Sequence, residues 1–341
     1  MNPAKFVFPA VKGIQANMEY YVTMIPLECL SKLFIFSNEA LPPEIRAQRM
    51  LNKSRIPEMC EYILQNPTSY VFSSLTASVD GDLLFEPVDE KDPYLGTISI
   101  DMSAKLLIND GQHRRAAIEA ALRKNPDLKY EHISMVLYHD LGLKRSQQMF
   151  SDLNRHAIRP TKSLNILFDN RDDYSILVKN LVEKVEVFNG LVDTEHTSIP
   201  NRSTALFTLS AIYRGTLGLL QDSTASVAMQ QALAVSFWQE VCNNMPEWQD
   251  VKAGKLKSSA IRKESLSSLS ITIRSIGTIG RLLINKYPAE WEMHLTKLKS
   301  VDWKKSASAW QDGIVVSGSV ISSRATQQMM TEILKKMILD R

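Results

Sequence analysis

Cysteine is scarce in this chain: among 341 residues there are three, Cys29, Cys60 and Cys242. Their wide separation excludes a disulfide framework and a CxxC metal site, so each is expected to be a small buried hydrophobe. A surplus of one charge is also missing. Forty Lys and Arg face 37 Asp and Glu, a formal net charge of +3, which excludes a globally basic nucleic-acid binder and requires any DNA contact to come from a local patch. The opening MNPAKFVFPAVKGIQ lacks the apolar centre of a signal peptide, and the most apolar later stretch, residues 205–220, is broken by Arg214. A cytoplasmic protein without a membrane span is expected. The chain has no Walker A loop, no GxGxxG, no internal repeat and no long low-complexity tract.

What is present is enough hydrophobic sequence, 44%, for a large core and for two domains. Residues 1–160 mix strand and helix patterns. Residues 161–341 are dominated by helical periodicity, which places a boundary near Pro160. In the first part YYVTMIP, YVFSSLTASVDG, GTISID, KLLIND and ISMVLYHD read as strands, and residues 46–65 and 144–155 as helices. In the second, Leu177, Val178, Leu181, Val182 and Val185 form a helical stripe that Asp172 or Asp173 would cap. Residues 205–220, 226–241 and 270–286 supply more helices. A last stripe, Met329, Met330, Ile333, Leu334, Met337 and Ile338, follows the caps Ser322 and Ser323.

The most informative stretch is LLINDGQHRRAAIEAAL, residues 106–122. An apolar strand ends at Asp110-Gly111, four polar residues follow, and an alanine-rich helix begins. A glycine in such a turn allows positive φ. Ala117 with Ala121, and Ile118 with Leu122, bury the helix and leave its N-terminus free to face an anion, to which Arg114 or Arg115 could add a phosphate contact. Gln112 could bind a base, ribose or phosphate oxygen. His113 could move a proton near neutral pH, and Asp110 could activate water, hold magnesium or cap the helix. A capped helix with a solvated charged face accounts for the same spacing equally well.

DGQHRRAA resembles the signature of the DGQHR-domain family. From FPAVKGIQ through DGQHRRAAIEAAL and FSDLNRHAIRPTKSLNILFD to the helical tail, the chain is similar to the DndB-type regulators that accompany bacterial DNA phosphorothioation genes. A wider and less specific likeness is to the ParB and sulfiredoxin fold, in which a Gly-x-x-Arg turn holds nucleotide phosphates. The resemblance implies a ParB/sulfiredoxin-like mixed α/β domain over 1–160 and a mainly helical domain over 161–341. It implies a transcriptional repressor that binds double-stranded promoter DNA, works with other phosphorothioation-system proteins, and holds ATP or CTP with magnesium. Gly111, Gln112, Arg114 and Arg115, with Asn154 and Arg155 folding over them, would bind the nucleotide. Two departures stand out. Gln112 occupies the place of the sulfiredoxin cysteine, which argues against thiol repair. Leu153 separates Asp152 from Asn154, where ParB-like proteins carry an acidic-Asn pair, so the metal is left unassigned.

Two basic segments are candidate DNA surfaces. SDLNRHAIRPTKSLN concentrates Arg155, His156, Arg159 and Lys162, and KAGKLKSSAIR carries Lys252, Lys255, Lys257 and Arg262. Residues 319–336 could imitate the second helix of a helix-turn-helix. Cys29 has no neighbouring His or Arg to activate it as a redox switch. Besides the regulator, two readings remain open at this point: a slow magnesium-dependent ATP- or CTP-hydrolysing enzyme with Asp110 and His113 as catalytic groups, and an interaction scaffold whose turn is purely structural.

Overall fold

A computed structural model describes residues 4–34, 54–139, 148–149, 152–153, 160–311, 313–321 and 323–339. The chain divides into two compact units, Met1–Ile158 and Arg159–Arg341.

The first unit is a seven-stranded mixed sheet in the order β4-β5-β1-β2-β7-β3-β6. Its strands are β1 (Lys5–Gln15), β2 (Met18–Pro26), β3 (Leu75–Asp80), β4 (Leu83–Asp89), β5 (Asp92–Asp101), β6 (Lys105–Asp110) and β7 (His132–His139). β3 and β7 run parallel, and every other pair is antiparallel. Ala16 and Asn17 both have positive φ, at 51° and 61°, the conformation of a two-residue hairpin turn matched to strand twist. Helices α1 (Leu27–Leu33), α2 (Arg55–Gln65) and α3 (Gln112–Lys124) join one apolar core with the sheet. Leu30, Ile63, Ala117, Ile118 and Ala121 meet Ile25, Leu75, Ala77, Val79, Met135 and Leu137 there.

Four expected strands lie where their residues place them. The run expected from residue 70 begins instead at Leu75, and residues 71–74 stay irregular. β1 and β4 had no counterpart in the sequence reading. Each contains a proline, Pro9 and Pro87, which ordinarily argues against a paired strand. In β1 the pairing with β2 begins only at Ala10, and the Pro9 carbonyl accepts from Thr23 Oγ1 at 2.8 Å instead. The helix expected over 46–65 is described from Arg55 onward. The one expected over 144–155 lies largely outside the described residues.

The second unit is mainly helical: α4 (Lys162–Phe168), α5 (Asp173–Lys184), α6 (Leu209–Leu220), α7 (Val227–Asn243), α8 (Pro246–Lys252), α9 (Ser258–Glu264), α10 (Ser270–Lys286), α11 (Trp291–Leu295) and α12 (Arg324–Leu339). Asp172 caps α5 by accepting from Ser175 N at 2.9 Å, and Ser323 caps α12 by accepting from Thr326 N at 3.1 Å; Ser322 lies outside the described residues. Leu177, Val178, Leu181 and Val185 of the first stripe and Met330, Leu334 and Ile338 of the last are buried, and Val182, Ile333 and Met337 pack partly buried against them, whereas Met329 is exposed. Phe188, Phe207, Phe237, Trp238, Trp248 and Trp310 fill the centre. A short hairpin, Val315–Val316 with Ser319–Val320, precedes α12. That corrects the helix-turn-helix reading, because among the described residues the element directly before α12 is this hairpin and not the helix that the motif's first half requires.

Candidate functional site

The stretch 106–122 folds as β6, a one-residue turn and α3. Gly111 takes φ 96° at the N-cap of α3, a left-handed conformation that a side chain resists. A Cβ there would also come within 2.4 Å of Leu75 Cδ2. The helix starts at Gln112, so the polar residues ahead of the alanine-rich stretch belong to it. Gln112, His113 and Arg114 are therefore its first turn. Among the described residues no side chain caps this end, and the first turn contains no acidic residue to complement the positive end of the helix dipole.

Arg114 is largely withdrawn from solvent, with 14% of its side chain exposed. Its Nη1 donates to the Ser73 carbonyl at 2.7 Å, the Ser74 carbonyl at 2.9 Å and the Ser73 hydroxyl, and its Nη2 to the Asp110 carboxylate. Arg114 thus takes up the last two carbonyls of the irregular segment before β3. Asp110, expected as a possible cap, is the ion-pair partner of Arg114 instead. Arg115 points elsewhere: Nε donates to Glu119 at 2.7 Å, and the guanidinium lies 5.3 Å from the Phe34 ring centroid.

A cavity of about 380 Å³ opens beside the turn, walled by Arg55, Phe72, Ser73, Asp110, His113 and Arg114 among others. Burial first, then the charge of Arg55, holds His113 below the usual histidine value, so the ring is neutral near pH 7 and able to accept a proton. Arg55, Phe72 and Ser73 escaped the sequence reading because they lie some 40 to 60 positions upstream, with no local pattern tying them to the turn.

The remaining expected site residues are distributed differently. Asn154, Arg155, His156 and Arg159 lie outside the described residues. Lys162 is the exposed first residue of α4, in the helical unit. Lys252 Nζ donates to the Asn189 carbonyl at 2.7 Å, and Lys255 pairs with Asp250 at 3.4 Å. Lys257 is exposed at the start of α9. Arg262 turns inward and binds the carbonyls of Pro200 (3.0 Å), Asn201 (3.1 Å), Ser203 (3.1 Å) and Ala205, clamping the loop before α6. Burial raises the Cys29 thiol, reinforced by Glu28 and only partly opposed by Lys32, which keeps it protonated and unreactive. Among the described residues no group of three His, Cys, Asp or Glu could hold a metal, and no helix is long and apolar enough to cross a membrane.

Fold and turn together define a class: a mixed α/β unit presenting an uncapped helix start, followed by a largely helical region. The chain matches the family described as DndB, DNA-sulfur modification-associated, over residues 8–340, and it belongs to that family. No curated protein and no solved structure matches it significantly.

Proposed function

We propose that this chain is a DNA-binding transcriptional regulator of DNA phosphorothioation genes whose DGQHR turn senses a nucleotide phosphate. Family membership supports the pathway. The observation that carries the phosphate site is the uncapped start of α3, with Gly111 in the left-handed conformation, opening on a cavity walled by Arg55 and Arg114. Helix starts of this kind bind phosphate through backbone N–H groups and the helix dipole. The ParB and sulfiredoxin likeness that the DGQHR turn implies belongs to the same reading, in which the strand, glycine turn and helix of residues 105–124 would deliver the site.

In this scheme an entering phosphate contacts the N–H groups of the first turn and competes with Asp110 for Arg114. Because Arg114 also holds the carbonyls of Ser73 and Ser74, that exchange is felt by the segment before β3. Nucleotide state then biases a conformational equilibrium, which alters DNA affinity through unequal binding to two states. ATP and CTP both carry the phosphates this site would take. Magnesium arriving with them would find Asp110 as the cavity's carboxylate.

The second reading, NTP hydrolysis, is favoured by His113, which is held neutral in the same cavity as Asp110. It requires phosphate release from the wild type that depends on magnesium and falls in His113→Gln. The deciding experiment for the main reading titrates the protein with labelled promoter DNA and unrelated DNA, each with and without ATP, CTP and magnesium. A promoter preference that shifts with nucleotide is expected; equal and nucleotide-independent binding to both DNAs would remove the regulatory role.

A further inference from the structure

Two arginines of the helical unit, Arg214 and Arg274, wall one cavity. Arg214 stands on α6, Arg274 on α10, and Arg324 begins α12. Among the described residues none of the three forms an ion pair or donates a side-chain hydrogen bond. Burial first, then the charges of Arg214 and Arg324, lowers the pKa of Arg274. Gathering like charges is unfavourable unless an anion joins them.

Helix packing creates the arrangement. Gly215 and Gly277 bring the backbones of α6 and α10 together so closely that a Cβ on Gly277 would lie 1.9 Å from the Gly215 carbonyl oxygen. Helix α12 lies against α10, with Gln327 Nε2 donating to Ser275 Oγ at 2.8 Å. Among the three helices is a cavity of about 650 Å³, walled by Arg214, Gln221, Arg274, Thr278, Gln327 and Glu332 among others. Glu332 is the acidic residue in that wall, and Lys335 already faces it at 3.6 Å. Gln327 supplies an independent observation. It is 9% exposed, and its Oε1 is buried without a hydrogen-bond donor, although buried acceptors are normally satisfied.

We propose that the α6–α10–α12 cleft is a second phosphate site that takes one nucleotide unit, with the phosphate on Arg214 and Arg274 and an amino or hydroxyl group of the same unit donating to Gln327 Oε1. The cavity has the volume of a small-ligand site. Guanidinium groups are suited to phosphate oxygens because they present paired donors. A free nucleotide and a nucleotide within a DNA strand share this chemistry. The site goes beyond the DGQHR turn and does not depend on it.

The test uses the full chain carrying Arg214→Gln with Arg274→Gln, and separately Arg274→Lys, with melting temperature as the folding control. The probes are ATP in calorimetry and fluorescein-labelled duplex DNA in anisotropy. The double variant is expected to lose one bound ATP equivalent or to bind DNA about tenfold more weakly or worse. Arg274→Lys should show a smaller loss of the same kind, because an ammonium cannot reproduce the paired donors. A loss confined to ATP identifies the free nucleotide as the ligand, and a loss confined to DNA identifies the strand. Wild-type affinity and stoichiometry for both probes in the folded double variant, or in Arg274→Lys should the double variant not fold, would overturn the proposal. A wild type that binds ATP through these arginines but no DNA would end the DNA-regulator reading and leave this site standing.

Discussion

Gly111 is the residue on which the turn depends. Its φ of 96° and the nearness of Leu75 act in the same direction, so Gly111→Ala is expected to cost about 1–3 kcal/mol of stability, measured by urea denaturation. Arg114 has a comparable structural share. Removing its guanidinium leaves the carbonyls of Ser73 and Ser74 and the Asp110 carboxylate without their donor. Arg114→Ala should therefore destabilise by about 1.5–3 kcal/mol, more than the loss of a solvated side chain at a helix start would. His113 adds a pH dependence with a definite sign. Its folded pKa is lowered, so just below the ordinary histidine value the unfolded chain takes up a proton that the native state refuses. The stability due to His113 is complete above that value and falls as pH drops toward the lowered one. A phosphate at the helix start would favour the imidazolium, so an NMR titration of the His113 ring should move upward in pH when ATP is added. An unmoved titration would place the phosphate out of its reach.

At the scale of elements, the basic segment around α8 and α9 separates into two kinds of cation. Arg262 is committed to four carbonyls of the loop before α6, so Arg262→Ala should lower the melting temperature and leave the salt dependence of DNA binding nearly unchanged. Lys255→Ala with Lys257→Ala should do the reverse, sparing the melting temperature and reducing the salt slope by about 0.9 for each DNA phosphate that is no longer neutralised. A change in the slope with Arg262→Ala and none with the lysine pair would exchange these roles. The strand, turn and helix of residues 105–124 were legible in the sequence because the apolar run Leu106-Leu107-Ile108, Gly111 and the Ala117/Ala121 spacing agree locally. The helical unit was legible for the same reason at Leu177 to Val185 and Met330 to Ile338. What could not be read depends on distant partners. Pro9 and Pro87 concealed two strands whose pairing is set by neighbouring strands. Arg55 and Ser73 join the DGQHR turn only through the fold. Arg214 registered only as an interruption of an apolar run until α10 placed Arg274 in the same cavity wall.

For the molecule as a whole, a net charge of +3 leaves little general attraction for DNA, so binding should weaken steeply with salt only as far as local cations meet phosphates. The central claim is that the start of α3 binds a nucleotide phosphate, and one substitution tests it with little disturbance to packing. Gln112→Glu is isosteric and puts an acidic group in the first turn of a helix that has none. An acid in that position favours the helix by about 0.3–1 kcal/mol, yet it repels phosphate. The measurement is calorimetric titration of wild type and Gln112→Glu with ATP and CTP in the presence of magnesium, alongside their melting temperatures. The account predicts an unchanged or slightly raised melting temperature together with at least about a tenfold loss of nucleotide affinity. Undiminished affinity in a fully folded Gln112→Glu protein would contradict it.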